Sequence, residues 1–302
     1  MKKTKLLIFF LFLNFIFCHA QDLSPRKFWP SPKGTTVGVI GYSFSYGDVL
    51  LDPSIPMYNL DSKISTGFLA CMYNFSLFGR TTNILFELPY SWGTTKGILL
   101  NDPVMKYVYG FNDLGISLAI NLLGAPSISP KEFQELRNNP RPIIGSSFKI
   151  LFPTGKYSEN ELINMGSNRW TFMFELGSLI PLWRKWIIEF GLGAWFFTTD
   201  NEYIMGKRQQ KPVFKGELNI VRRFKPGLWM SLDANFFTGG QQTIGESELI
   251  DLQRNSKIGV TIMVPFLKRY SIKAGYSNSI ITEYGNDFNR FLFTFQVLLN
   301  KF

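Results

Sequence analysis

Apolar and polar residues alternate along most of this chain with a period of two. Leu228-Trp229-Met230-Ser231-Leu232-Asp233-Ala234-Asn235-Phe236 is the clearest run, apolar at even positions and largely polar at odd ones. Successive side chains of a strand point to opposite faces, so each set lines one face. Trp186, Ile188, Phe190, Leu192, Ala194 and Phe196 repeat the pattern against Glu189, Gly191 and Gly193. Trp170, Phe172, Phe174 and Leu176 do so against Thr171 and Glu175, and Phe291, Phe293, Phe295, Val297 and Leu299 against Arg290, Thr294 and Gln296. Twelve such segments are predicted, at about 34–47, 61–76, 80–93, 107–123, 142–154, 168–181, 185–199, 212–224, 228–239, 253–265, 269–283 and 288–300.

The connections have a rhythm of their own. Segments 76–80, 181–185, 224–228 and 265–269 are short, with Phe75 and Phe78, Trp183 and Trp186, Phe224 and Trp229, and Phe266 and Tyr270 beside them. Segments 47–60, 94–106, 155–167, 200–211 and 240–252 are longer and rich in polar residues, Gly or Pro. Alternating short and long connections fit strands that cross a membrane, with short turns at the periplasmic end. Residues 124–141 break the rhythm on the short side. There Ser129, Pro130 and Glu132 spell a capping box, and a short periplasmic helical connection is predicted near 129–138. A soluble β-sandwich would alternate too. Here, however, the apolar faces carry large Phe, Leu, Ile and Trp almost throughout, while the opposite faces mix charges with Gly and Ser. The predicted fold is all-β, a transmembrane antiparallel β-barrel of about 12 strands.

The N-terminus supplies the route to a membrane. Lys2, Lys3 and Lys5 precede the apolar stretch Leu6 to Phe17, and Cys18-His19-Ala20 leads to Gln21. That order of charge, apolar run and small residue reads as a signal peptide over 1–20, leaving 21–302 as the barrel. Past it, no uncharged run approaches the roughly 18–20 residues of a membrane helix. Signal removal takes three Lys and no acid, so the formal charge falls from +10 to +7. The basic residues are scattered, with no run longer than Arg222-Arg223, which argues against nucleic acid as a partner. An aromatic share of 16% fits rings at two membrane–water boundaries. Cys71 is then the lone cysteine and no histidine is left, which removes disulfides, imidazole bases and the commonest zinc ligand together.

Strand parity sends Glu87, Asp113, Lys149, Glu175, Glu189, Lys215, Glu217, Asp233, Lys257 and Lys273 to the lumen. A selective ion pore would line itself with one sign. Mixed signs leave two readings: interior groups paired to stabilise a narrow barrel, or a polar path for a solute. Twelve strands lie between the eight that side chains can fill and the sixteen or so that leave an open channel. Asp48, Asp52 and Asp61 are assigned to a mouth loop with Pro53 and Pro56. Their spacing lacks the regular Asp-x-Asp-x-Asp-Gly of a calcium loop, so a rigid rim is expected and no metal or cofactor. Gly191, Gly193, Gly239 and Gly240 read as strand kinks or bulges.

Several longer motifs carry a resemblance. Gly47-Asp48-Val49-Leu50-Leu51-Asp52-Pro53-Ser54-Ile55-Pro56, Asn121-Leu122-Leu123-Gly124-Ala125-Pro126, Gly166-Ser167-Asn168-Arg169-Trp170, Pro226-Gly227-Leu228-Trp229 and Gln253-Arg254-Asn255-Ser256 resemble the outer-membrane transporters grouped as "MetA-pathway of phenol degradation". The likeness runs from about residue 38 to 300. Two features depart from the expected pattern. Phe174 stands where that family often has Pro, and Phe302 is out of phase with the outward residues before it. The resemblance implies a barrel that moves small, aromatic or hydrophobic compounds. The expected function is therefore a non-enzymatic outer-membrane channel or transporter in a diderm bacterium. Outer-membrane lipid, small-molecule solutes and the outer-membrane assembly machinery are the expected partners. A structural or adhesion barrel is the rival; an outer-membrane hydrolase would need a base that the chain lacks.

Overall fold

The computed structural model describes residues 25–51, 57–161, 163–183, 185–203 and 206–300. The predicted signal segment, Asp52 and Phe302 lie outside the described residues. In chain order the strands are β1 (Thr36–Leu50), β2 (Met57–Leu77), β3 (Arg80–Leu99), β4 (Asp102–Phe111), β5 (Leu114–Leu123), β6 (Ile143–Phe152), β7 (Thr171–Leu182) and β8 (Trp186–Phe197). They continue with β9 (Arg208–Gln210), β10 (Val213–Lys225), β11 (Leu228–Gly239), β12 (Gln242–Ile244), β13 (Ser247–Glu248), β14 (Gln253–Phe266), β15 (Tyr270–Ile281) and β16 (Gly285–Leu298). Each wall strand pairs antiparallel with its neighbours, and β1 closes on β16 from Val37 opposite Leu298 to Leu50 opposite Gly285. The three short strands β9, β12 and β13 form a separate sheet in the outer connections.

Thirteen strand pieces make twelve wall positions, because β4 and β5 share one. β4 pairs with the outer part of β3, and β5 with its inner part and with β6. Between them the register slips by one: Ser91 opposes Gly110, whereas Glu87 opposes Gly115. An extra residue in one strand of a pair bends it and re-aims the residues after it. Inward positions are accordingly even in β4, where Val108 is buried, and odd in β5, where Ala119 and Asn121 are. The edge of β4 that faces away from β3 is covered by the outer connection 153–170. Lys156 N donates to Phe111 O at 2.8 Å, the Lys156 ammonium sits 3.8 Å from the Tyr109 ring centre, and Lys106 pairs with Glu161 at 2.8 Å.

Side-chain parity follows the alternation. Leu232 is 59% exposed on the outer surface, while its neighbour Asp233 is 3% exposed and faces the bore. Phe174, Leu176 and Leu192 continue the outward apolar band, and Phe78, Trp183 and Phe224 ring the end with the short turns. At that end the inward face becomes apolar: Ile143, Leu179, Ile187, Val221 and Trp229 form one cluster with Ala125. Helix α1 (Pro130–Asn138) lies at the same end, with its Ser129–Glu132 capping box formed and Leu136 buried. Arg223 Nη1 donates to Arg137 O at 2.8 Å and ties the helix to β10.

Three expectations need correction. The connection at 94–106 is not a long loop: β3 and β4 run on as a hairpin and turn at Leu100-Asn101, both with positive φ. Asp48 and Asp61 likewise sit on paired strands, directly opposite each other, with Asp48 also opposite Asp287. Strand pairing persists beyond the apolar band because a hairpin satisfies its backbone groups internally, whatever the polarity of its side chains. Gly191 and Gly193 mark no kink, since β8 keeps an unbroken register with both neighbours there.

Candidate functional site

The bore is crossed by a segment that has no strand pattern. Residues Pro25–Thr35 precede β1 and reach strands on several sides of the lumen. Gly34 N donates to Asn74 O on β2 at 2.8 Å, and Asn74 N returns to Thr35 O at 2.8 Å. Across the bore, Arg26 N donates to Glu189 Oε2 at 2.7 Å, and Lys27 Nζ to Glu175 Oε1 at 3.1 Å. Trp29 packs on the apolar cluster at the short-turn end. The Arg26 guanidinium lies 4.1 Å from the Trp29 ring centre and 5.5 Å from that of Trp229. Pro25, Pro30 and Pro32 keep this stretch from pairing as a strand, and all three are buried. The segment is a plug in the half of the barrel that carries the short turns.

The plug completes a chain of alternating charge. Lys27 meets Glu175, Glu175 meets Lys215 at 3.2 Å, and Lys215 meets Glu217, whose Oε1 accepts from Asn219 Nδ2 at 2.8 Å. Glu175 and Lys215 are 4% and 6% exposed. Charges this shielded persist only when paired and hydrogen-bonded. Glu189 stands apart: one of its carboxylate oxygens accepts from the plug backbone and the other, Oε1, has no hydrogen-bond donor.

The remaining lumen residues are spread out. Glu87 on β3 and Lys149 on β6 bridge at 2.5 Å over Gly115 of β5; a methyl group there would stand 3.3 Å from both side chains. Asp233 accepts from Thr261 Oγ1 at 2.7 Å, and Lys257 on β14 is buried. Lys273 lies on β15. Asp113 occupies the break between β4 and β5, where it accepts from Gly155 N and Ser167 N, both at 2.9 Å. It thus braces an outer connection instead of lining the central bore. Asp48 and Asp61 belong to the wall strands, and among the described residues no group of three acidic, Cys or His side chains is placed to hold a metal ion.

The outer connections are knotted together by Asp200, which is fully buried. Its carboxylate accepts from Tyr157 Oη at 3.0 Å, Asn168 Nδ2 at 3.0 Å, Glu202 N at 3.1 Å and Arg208 Nη2 at 3.1 Å. Desolvation, with the Asp200 carboxylate beside it, pushes the Tyr157 phenol up to about 12. Burial, chiefly, brings the Arg169 guanidinium down to about 9; it stacks 4.4 Å from the Phe197 ring centre.

Known proteins share both the sequence pattern and this wall. A family described as "Putative MetA-pathway of phenol degradation" matches residues 72–295. The chain belongs to that family. The structure described as a COG4313 outer membrane channel from Pseudomonas putida F1 aligns with a TM-score of 0.75 and 17% identity, covering 92% of this chain and all of the other. At that identity the likeness shows the fold: a closed outer-membrane barrel. The transport unit of the autotransporter AIDA-I from Escherichia coli aligns at a TM-score of 0.49 and 12% identity over 93% of each chain. No curated protein matches the chain.

Strand parity places Glu175, Glu189, Lys215 and Glu217 around one stretch of bore, but parity says nothing about what they face. Arg26, Lys27, Phe28 and Trp29 escaped notice because they belong to no alternating segment. The signal available was compositional: two cations beside two large rings, fenced by prolines, ahead of the first strand.

Proposed function

We propose that this barrel is an outer-membrane channel for passive passage of small aromatic or hydrophobic compounds, closed by its own N-terminal segment. The plug carries this reading. At Arg26 and Lys27 it is latched to Glu189 and Glu175 by single hydrogen bonds and not by strand pairing, so it can part from the wall without opening the barrel. A channel needs a part that can leave. The family's name supports the aromatic substrate class. The residues in the bore serve as wall, latch and filter, and no catalytic role is assigned to them. The outward apolar band faces outer-membrane lipid, and the assembly machinery of that membrane inserts the barrel. Residues 1–20 act as a cleaved signal, so an intact mass beginning at Gln21 is expected.

Planar-bilayer recording tests the channel. Glu189→Ala removes the acceptor of Arg26 N and loosens the plug, so it should raise mean conductance several-fold over wild type. Liposomes holding either protein should admit small aromatic solutes faster in the variant. If neither protein passes ions or any solute, the structural alternative takes the place of this proposal.

A further inference from the structure

The way Phe28 is held points to a ligand site beneath it. Gly145 on β6, Gly177 on β7 and Gly191 on β8 oppose one another in register, forming a row of three glycines on the inner wall. None of the three has the left-handed backbone that would call for glycine. Their role is space. A methyl group at Gly145 or at Gly177 would come within 2.2 Å of Phe28 ring carbons, so any larger residue there would evict the ring. Gly145 and Gly177 leave a flat slot in the wall that the Phe28 ring fills, and a small cavity persists beside it, lined among others by Phe28, Glu175, Glu189 and Gly191.

Charge decides what else the slot accepts. The cavity is lined by three carboxylates, Glu175, Glu189 and Glu217, of which Lys215 pairs with Glu175 and Glu217. The plug supplies the Lys27 ammonium, which pairs with Glu175, and the Arg26 backbone N–H, which donates to Glu189. Glu189 Oε1, on a side chain more than nine-tenths buried, still lacks a donor and lines this same cavity. A neutral aromatic compound that displaced the plug would leave carboxylates shielded from water without their cations, which is costly. An aromatic ring joined to a protonated amine would replace both parts of Lys27-Phe28 at once.

We propose that the slot at Gly145 and Gly177, with Glu175 and Glu189, binds arylalkylamines, and that Lys27-Phe28 of the plug occupies it as a built-in mimic. The idea rests on the channel reading above for its purpose, though binding itself can be measured without transport. Detergent-solubilised full-length Phe28→Ala, checked for a folded barrel by circular dichroism and gel mobility, is titrated with 2-phenylethylamine, 2-phenylethanol and phenylacetate by calorimetry. The amine should bind at least tenfold tighter than the alcohol or the acid. Adding Glu189→Gln should cut amine affinity at least fivefold, and adding Gly177→Val should abolish it. Should Phe28→Ala fail to fold, Lys27→Ala undergoes the same titrations. Equal affinity for amine and acid, or an amine affinity untouched by Gly177→Val, overturns the site. Bilayer currents separate the two readings: amine binding with no current in any variant rejects the channel and keeps the site, whereas current without amine preference does the reverse.

Discussion

Leu232 and Asp233 are adjacent in sequence and live in different solvents. Leu232 faces lipid and Asp233 is shielded in the bore, where Thr261 donates to it. Leu232→Arg should therefore destabilise the barrel by about 2–4 kcal/mol, the range for a basic residue at mid-membrane. Asp233→Asn keeps an oxygen that can accept from Thr261 and should cost much less. Urea unfolding in lipid, followed by tryptophan fluorescence, checks the order; a reversed order would mean that this strand is displaced by one residue. Such residue-level orientation was legible because parity is set by the strand itself. The partners of each inward group were not. Nothing local indicates that Lys149 reaches Glu87 over a glycine, or that Asp113 turns away to hold Gly155 and Ser167. Those contacts depend on which strands the closed wall brings side by side.

Among the elements, the outer connections were the least legible. Polar composition at 94–106 reads as loop, yet the residues pair as a hairpin, and the break at Asn112-Asp113 leaves no mark that distinguishes it from a regular strand. The connections that do leave the wall depend on one carboxylate. Asp200 gathers donors from two connections, Tyr157 and Asn168 in one and Glu202 and Arg208 in the other, so Asp200→Ala should free both together. Limited proteolysis should then cut there, while the barrel keeps its resistance and its anomalous gel mobility. Tyr157 offers a second check. Because its phenol is pushed up to about 12, Tyr157→Phe should remove little tyrosinate absorbance near pH 11, where ordinary tyrosines, with pKa about 10, have mostly ionised. Loss of a full tyrosine's share at that pH would mean that the phenol is neither desolvated nor held by Asp200.

At the scale of the whole molecule, the fold was the most legible feature, since twelve alternating segments can satisfy their edges in a membrane only by closing. Circular dichroism should be dominated by β-structure, and unboiled protein should migrate anomalously on a gel. The plug runs directly into β1, the strand that seals the wall against β16. That continuity has a kinetic meaning. In the proposed channel, a stopper on so short a tether would compete with a solute at an effective concentration in the millimolar range. A compound that binds the bore only weakly would have to match that concentration to hold the passage open, so the tether sets a threshold as well as a closure. Inserting flexible Gly-Ser units between Pro32 and Lys33 should lower the threshold roughly as the −3/2 power of tether length, giving up the Thr35 bonds to Pro32 O but keeping the Arg26 and Lys27 latches. The solute concentration giving half-maximal current, measured across a series of such insertions, would show whether tether length sets that threshold.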